Sequence, residues 1–407
     1  MTTNAPGGRT LRVPAGDLGA DLADTAAKLA YFVSPEITAV RRPSPALLEI
    51  DLDPRAAADT AAAIERDVGT LLARLRAGYR PLPSKRLFER RASVSAIAGG
   101  GESLTAHLLE AGWARRQGPG AYAFDPRFIA LLEAIDARLR RLASEAMGAS
   151  ERAFPALIAA DALHRAGYLA SFPQSVSFVT HLPQRPAAIE RFREANARSP
   201  RFVMPEESAP EAPAECLPPA VCYHRFREME GEDMSAGSII TARGTCYRYE
   251  ARHNMKDLSR LWCFQMREIV YAGDAGFVRD MAARAAKALE ALTAELELGG
   301  VCETACDPFF ADVFAEKRYA QLAHDRKFEL RVPLGGDDTL AVASINSHEE
   351  FFGKAFGIQG GGGSPAVSGC TAFGLERLTL GFVARHGMDC RQWPEGIARA
   401  ARERLRG

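Results

Sequence analysis

The chain has 407 residues, which is long for one domain and predicts two or three. Its 51 Lys and Arg residues balance its 51 Asp and Glu residues, so overall charge favours neither nucleic acid nor an anionic membrane as a partner. No apolar run approaches the ~20 residues that cross a bilayer, and the N-terminus has no apolar signal core. We therefore expect no membrane partner and a cytoplasmic location.

The N-terminal part predicts a small α/β module. The stretch EITAVRRPSPALLEIDLDP alternates apolar and polar residues as a strand does, and RAAADTAAAIERDVGTLLARLR has helical periodicity. Asp53 and Pro54 are residue types that cap a helix and begin its first turn. Small residues and glycine then concentrate at residues 92–102, which predicts a linker after a module at residues 1–91.

The remaining residues, 103–407, predict a larger domain built on a sheet. Two long helices are indicated by PRFIALLEAIDARLRRLASEAMGA and GFVRDMAARAAKALEALTAELEL. Four segments rich in β-branched or aromatic residues predict strands: GSIITARGTCYRYEA, RLWCFQMREIVYA, RKFELRVPL and TLAVASINS. Because the strands follow one another and do not alternate with helices, the predicted fold class is α+β, an antiparallel β-sheet flanked by helices.

No P-loop and no Rossmann glycine pattern is present, so ATP would have to bind in another way. Arg248 and Glu250 are two apart on a predicted strand, which places their side chains on one face. Phe264, on the returning strand, offers a flat surface for a purine, and Arg377 follows in FGLERLTLGF. Singly, these residues are typical of a solvated ion pair and a core phenylalanine. Together, two guanidinium groups and a ring form a nucleotide cradle.

This order of residues resembles motifs 2 and 3 of the class II aminoacyl-tRNA synthetases. YRYE followed by a loop and RLWCF is similar to motif 2, and GLERL is similar to motif 3. A weaker likeness to motif 1, the dimer-interface element, contains Pro155. The resemblance implies the class II catalytic fold, a homodimer, ATP binding by Arg248, Glu250, Phe264 and Arg377, and catalysis by the two arginines.

Within that class, the chain most resembles methanogen-type seryl-tRNA synthetases and their shortened relatives, the amino acid:[carrier protein] ligases. Those proteins hold zinc with two Cys and one Glu, and the resemblance places Cys222, Glu268 and Cys370 at these positions. Two thiolates and a carboxylate suit zinc and leave a fourth position open for the amino group of a substrate. In SINSHEEFFGKAFGI, Asn346 is expected to line the amino-acid pocket; the alternative is an asparagine that caps a turn.

Two points about metals stay open at this stage. Cys302 and Cys306, in CETAC, form a local pair that is an alternative zinc site, although no second pair follows at zinc-finger spacing. The resemblance also implies Mg²⁺ bound with ATP. However, the strand before Asn346 reads TLAVAS, without the acidic residue that many synthetases have there, so no magnesium ligand is identified.

The implied function is ATP-dependent, AMP-forming activation of Gly, Ala or Ser, followed by transfer to the phosphopantetheine thiol of an acidic carrier protein. Alternatives are aminoacylation of tRNA, which we favour less, and a sensor without catalysis. Two basic segments could face an acidic acceptor, and a third basic cluster ends the N-terminal module. These cations are Lys317, Arg318, His324, Arg326 and Lys327; Arg279, Arg284 and Lys287; and Arg74, Arg76, Arg80, Lys85, Arg86, Arg90 and Arg91.

Overall fold

The structure is a computed structural model that describes residues 3–5, 8–16, 20–44, 46–77, 83–91, 99–307, 321, 324–336 and 338–406. At the N-terminus, four strands form an antiparallel sheet in the order β1-β2-β4-β3, and two helices pack against it. The strands are β1 (Thr3–Ala5), β2 (Gly8–Pro14), β3 (Ile37–Ser44) and β4 (Leu47–Leu52), and the helices are α1 (Ala20–Ala30) and α2 (Ala58–Arg76). Buried apolar residues of all these elements except β1 share one core.

The N-terminal prediction was correct in kind but wrong in two details. The stretch predicted as one strand is a hairpin, β3 and β4. Asp53 does not cap a helix, because α2 begins five residues later with Ala57 at its N-cap. Instead the carboxylate of Asp53 accepts a hydrogen bond from the backbone N–H of Arg55 at 2.9 Å, which closes a tight turn before the helix.

The larger domain contains the other helices and strands. In chain order, the strands are β5 (Arg86–Arg90), β6 (Ala114–Gly118), β7 (Ala121–Phe124), β8 (Ser150–Arg152), β9 (Ile158–Ala159), β10 (Phe178–Val179), β11 (Glu215–Cys216), β12 (Ser238–Tyr247), β13 (Cys263–Gly273), β14 (Gly300–Thr304), β15 (Lys327–Gly335), β16 (Asp338–Glu349) and β17 (Val367–Gly374). The helices are α3 (Gly100–Glu110), α4 (Pro126–Met147), α5 (Ala160–Arg165), α6 (Tyr168–Ser171), α7 (Pro186–Arg198), α8 (Cys222–Glu228), α9 (Ala275–Glu295), α10 (Phe351–Phe356), α11 (Leu375–His386) and α12 (Glu395–Arg406).

An eight-stranded sheet in the order β5-β14-β15-β16-β17-β13-β12-β8 dominates this domain. Neighbouring strands are antiparallel except β8 and β12, which run parallel at one edge. Helices pack on the sheet, as the α+β prediction requires. The predicted long helices are α4 and α9; Asp125 caps α4 by accepting hydrogen bonds from two backbone N–H groups at 3.0 Å.

Two structural observations bear on the predicted division of the chain into an N-terminal module, a linker and a larger domain. Strand β5 lies inside residues 1–91, yet it pairs with β14 at the other edge of the large sheet. Helix α3 begins at Gly100, within the predicted linker, whereas residues 92–98 lie outside the described residues. The boundary at residues 92–102 therefore stays a prediction. No helix in the part of the chain that the structure describes has the length and apolarity needed to cross a bilayer.

Strand alternation decides which side chains of the central strands meet. On β13, Ile269 and Tyr271 enter the core beneath α4, α9 and α11. Val270 and Ala272 enter a second core, which α8 and α10 cover from the opposite face. Glu268 is in phase with Val270 and Ala272, since side chains two apart share a face. A carboxylate therefore projects into an otherwise apolar layer.

Candidate active site

Three potential metal ligands meet in this second core. Cys222 begins α8, Glu268 lies in the middle of β13 and Cys370 lies on β17. One ligand atom from each lies within 4.8 Å of the others, and all three residues are buried. Among the described residues, this is the one group of three or more His, Cys, Asp or Glu side chains with such geometry. The structure thus brings together the three residues that the sequence singled out.

The carboxylate of Glu268 is held by the start of α8. It accepts hydrogen bonds from the backbone N–H groups of Val221 at 3.0 Å and Cys222 at 3.2 Å. Burial raises the pKa of Glu268 to about 8, and the neighbouring charge of Cys370 raises it further. The carboxylate is therefore oriented but lacks the solvation that would keep it charged.

The two thiols share a proton unequally. The Cys222 thiol donates to Cys370, which lowers the pKa of Cys370 and raises that of Cys222. Cys370 also accepts from the amide of Asn346 at 3.4 Å, and its Sγ lies 3.7 Å from Nε2 of His348. His348 is in turn enclosed by the rings of Phe226 and Phe352. Cys370 is thus the sulfur prepared to be a thiolate.

This donor set fits zinc. Two sulfurs and one carboxylate oxygen are ligands that Zn²⁺ accepts, and three protein ligands leave a fourth position open. Asn346 lies inside β16 directly opposite Cys370, so it does not cap a turn. Its amide donates to Ser344 Oγ at 3.0 Å and to Cys370 Sγ, which fixes it beside the cluster.

The structure brings Arg248 and Phe264 of the predicted nucleotide cradle together, but it does not place Arg248 and Glu250 on a strand. Arg248 stacks over the ring of Phe264 with 5.5 Å between Cζ and the ring centroid, while its Nε donates to the carbonyl of Pro219 at 2.9 Å. However, β12 ends at Tyr247, so Arg248 and Glu250 do not lie on the strand. Glu250 pairs with Arg260 at 2.6 Å, a partner that the sequence reasoning missed although Arg260 is the first residue of RLWCF.

Arg377 brings an unneutralised charge into the same place. Its Nε donates to the carbonyl of Ser259 at 3.0 Å and its Nη1 reaches the carbonyl of Ala341 at 3.5 Å. Burial lowers the pKa of Arg377, and Arg260 and Arg248 lower it further, against the opposing charge of Glu250. Three arginines interact here with two carboxylates, Glu250, which is closely paired with Arg260, and Glu329; a bound anion would neutralise the positive charge that remains.

Other predicted residues have ordinary surroundings. Cys302 is buried on β14, where burial raises its pKa to about 12, and none of the eight cysteines forms a disulfide bond. Cys302 and Cys306 belong to no metal-binding group among the residues described. Pro155 follows β8, the exposed edge strand of the large sheet.

The predicted basic surfaces are only partly observed. Lys317, Arg318 and Arg80 lie outside the described residues. Lys327 was wrongly predicted to face an acceptor, because it is buried and paired with Asp307 and Glu329. Several others are engaged in exposed ion pairs or backbone contacts, and Arg279 and Lys287 are exposed on α9. The engaged residues are Arg326 with Glu349, Lys85 with Asp325, Arg86 with Glu89, Arg284 with Ala146 and Arg76 with Ala15.

A buried carboxyl group next to Arg377 predicts a pH-dependent stability. Burial raises the pKa of Glu376 from 4.5 to about 7, although its oxygens accept a hydrogen bond from the N–H of Gln265. The unfolded chain loses this proton at lower pH than the folded chain, so the contribution of Glu376 to stability is fully present below pH 4.5 and is lost as pH rises to about 7. Glu376→Gln keeps an acceptor and removes this loss.

We expect the stability advantage of Glu376→Gln over the parent protein, measured as the free energy of unfolding, to grow by about 2 to 3 kcal/mol between pH 5 and pH 8. Urea unfolding followed by tryptophan fluorescence measures this, because all three Trp residues lie in the larger domain. Asp389→Asn, at an exposed site whose carboxyl pKa is lowered by Arg391, serves as a control that should show no such gain. A difference between Glu376→Gln and parent that is the same at both pH values would contradict this assignment.

The fold and this arrangement of residues define a class II aminoacyl-tRNA synthetase-like protein. A solved seryl-tRNA synthetase from M. kandleri, crystallised with A. aeolicus tRNASec, superposes with a TM-score of 0.70 at 20% identity, covering 98% of this chain and 79% of that one. A Giardia lamblia prolyl-tRNA synthetase bound to prolyl-adenylate gives a TM-score of 0.52 at 14% identity, over 72% and 54% of the two chains. No family model matches the chain.

Sequence relatives define the family more narrowly. Amino acid–[acyl-carrier-protein] ligase 1 of Bradyrhizobium diazoefficiens is 34% identical over 275 residues, which cover 66% of this chain and 82% of the relative. Ligase 2 of the same organism is 31% identical, over 72% of this chain and 85% of the relative. A type-2 serine–tRNA ligase of Methanothermobacter thermautotrophicus is 27% identical, over 74% of this chain and 60% of the relative. The chain belongs to the amino acid–[acyl-carrier-protein] ligase family, as the sequence motifs predicted.

Proposed function

We propose that this protein uses ATP to activate Gly, Ala or Ser as an aminoacyl adenylate and then transfers the aminoacyl group to the phosphopantetheine thiol of an acidic carrier protein. The observation that carries this proposal is the buried cluster of Cys222, Glu268 and Cys370, together with Arg260 and Arg377 beside Glu250. The names of two relatives supply the acceptor class.

The metal in this proposal is zinc, held by Cys222, Glu268 and Cys370. When bound, it supplies a Lewis-acidic position for the amino group of the substrate. The protein's own contribution is orientation: two backbone N–H groups fix Glu268, and Asn346 and His348 fix Cys370. Asn346 faces the same space, so we also assign it to the amino-acid pocket.

In the first step, a carboxylate oxygen of the amino acid attacks the α-phosphorus of ATP. The bond to the bridging oxygen breaks and pyrophosphate leaves. The charge that develops on the phosphates would lie against the guanidinium groups of Arg248 and Arg377, which need no reorganisation because backbone carbonyls hold both. Phe264 would stack on adenine, and Glu250 would hold Arg260 beside the nucleotide.

Magnesium is expected with ATP, but the described residues do not form an evident ligand set for it. The strand position near Arg377 is Ala341, whose carbonyl contacts the guanidinium group. The nearby Glu329 is already paired with Lys327 at 3.1 Å. We therefore assign no magnesium ligand and derive no step from this ion.

In the second step, the phosphopantetheine sulfur attacks the carbonyl carbon of the adenylate, a thioester forms and AMP leaves. Aminoacylation of tRNA is the second candidate, because the superposition with a seryl-tRNA synthetase covers 98% of the chain, including the N-terminal module. We place the protein in the cytoplasm, where its eight cysteines, none of which forms a disulfide bond, remain reduced. We also infer a two-fold homodimer, because β8 offers an exposed edge where motif 1 lies.

Incubation with ATP, a small amino acid and either phosphopantetheinylated carrier protein or tRNA tests the acceptor. Intact-mass measurement should show the carrier protein heavier by one aminoacyl group, and the adduct should be released by hydroxylamine, as a thioester is. Carrier protein without the phosphopantetheine arm is the control and should stay unmodified. An adduct on tRNA alone would overturn the preferred acceptor while retaining the activation step.

A further inference from the structure

The N-terminal module packs on the loop that carries the nucleotide residues. Ala251, next to Glu250, is buried in the apolar core of the N-terminal module together with Ala26 and Leu29 of α1. Ala251 also has a positive φ of 59°, a conformation that few non-glycine residues adopt. The packing of α1 on this loop therefore holds an unusual backbone geometry directly beside the Glu250 and Arg260 ion pair.

One cation of α1 is left without a partner at this contact. Lys28, in the last turn of α1, is only partly exposed and makes no hydrogen bond or ion pair with any described residue. The nearest acidic residue on its own helix, Asp24, pairs with Arg42 at 3.3 Å. An ammonium group that is partly removed from water without a close ion pair is costly, so it is expected where an anionic ligand binds.

The charges that surround Lys28 belong to the nucleotide pocket. Its pKa is lowered by burial first and by Arg260 next, with Asp24 and Glu250 opposing and Arg331 adding a small further lowering. Glu250 in turn interacts with Arg260, Arg377 and Lys28. Lys28 is thus the fourth cation, with Arg248, Arg260 and Arg377, in a cluster whose central carboxylate is already paired.

We propose that Lys28 is a nucleotide-binding residue that the N-terminal module contributes to the site, where its ammonium group contacts the polyphosphate of ATP. This inference rests on the proposed ATP-dependent function. It gives the module a role in the same chain, namely completing the cationic pocket over the loop at residues 250–260. An ammonium group is a compact point charge that suits a phosphate oxygen.

The test compares Lys28→Met, which keeps the aliphatic stem and removes the charge, with Lys28→Arg, which restores a charge. The matched control is Arg66→Met, on the exposed face of α2 in the same module. Two readouts are needed: the KM for ATP and for the amino acid in pyrophosphate exchange, and the affinity for ATP and for inorganic tripolyphosphate by calorimetry. A charged hydrogen bond is worth about 1.5–3 kcal/mol, or about 10- to 100-fold in affinity.

We expect Lys28→Met to raise the KM for ATP and to weaken tripolyphosphate binding by about tenfold or more, with the KM for the amino acid unchanged. Lys28→Arg should recover most of this loss, and Arg66→Met should behave as the parent. Thermal melting checks that the variants fold. If Lys28→Met does not fold but Lys28→Arg does, the tripolyphosphate affinity of Lys28→Arg decides the question. We expect this affinity to stay within about threefold of that of the parent.

The two proposals can fail separately. If the parent binds ATP but exchanges no pyrophosphate with any small amino acid, the ligase proposal fails, while a weaker ATP affinity of Lys28→Met still supports this inference. If the parent exchanges pyrophosphate and Lys28→Met has the same KM for ATP, or an equally raised KM for both substrates, Lys28 does not contact the nucleotide and the inference is overturned.

Discussion

Cys370→Ser is expected to lose nearly all bound zinc and nearly all amino-acid activation. The substitution replaces the sulfur that Asn346 and His348 prepare as a thiolate with a hydroxyl group, which stays protonated and binds zinc poorly. Elemental analysis of the purified protein gives zinc per chain, and pyrophosphate exchange gives activity. The parent should contain about one zinc per chain, as a three-ligand site holds one ion.

The control for this prediction is Cys263→Ser, which changes an exposed thiol on the same sheet. It should leave both zinc and activity unchanged, and Cys302→Ser should also keep its zinc. Cys222→Ser should behave like Cys370→Ser, because the two sulfurs belong to one cluster. Full zinc content and activity in Cys370→Ser, or loss of zinc in Cys302→Ser, would move the metal away from this cluster.

Arg377→Ala is the second change with a large expected effect. Its guanidinium group is partly buried, is held among the described residues only by backbone carbonyls, and adds to an excess of positive charge. Removal of one preoriented group that stabilises developing charge costs about 2.7–4 kcal/mol, so kcat should fall by about 10²- to 10³-fold. Steady-state pyrophosphate exchange at saturating ATP and amino acid measures this fall.

Arg385→Ala is the matched control, because it removes a half-buried arginine two turns further along α11 whose one hydrogen bond among the described residues is to the carbonyl of Glu297. It should retain parental kcat. Arg377→Lys should recover little activity, since an ammonium group cannot reproduce the planar fork that reaches two carbonyls and a phosphate together. A kcat for Arg377→Ala within threefold of the parent would show that this charge does not face the reacting phosphates.

Sequence reasoning succeeded where the signal is local. Helix α4 follows from its apolar periodicity. Strands β12, β13, β15 and β16 were predicted from composition, within a few residues at each end, whereas the central strand β17 was not predicted. The prediction that placed Arg248 and Glu250 on a strand was wrong, because spacing of two cannot show that the ladder of β12 stops at Tyr247.

The remaining features of the candidate site depend on the three-dimensional fold and not on the sequence of any one segment. The meeting of Cys222, Glu268 and Cys370 depends on the pairing of β13 with β17 and on the position of α8, neither of which is encoded in any one segment. The resemblance to known motifs supplied this grouping, and residue spacing could not. Arg260 and Lys28 were missed for the same reason. Each is an ordinary cation in its own segment, and only the folded structure shows that it interacts with Glu250.

Exchange of radiolabelled pyrophosphate into ATP by the purified, zinc-loaded protein tests most directly whether the protein forms an aminoacyl adenylate. We expect exchange that requires Gly, Ala or Ser and is absent without an amino acid, because the adenylate forms reversibly in the active site. The absence of exchange with all three amino acids, in protein that is folded and contains its zinc, would contradict it.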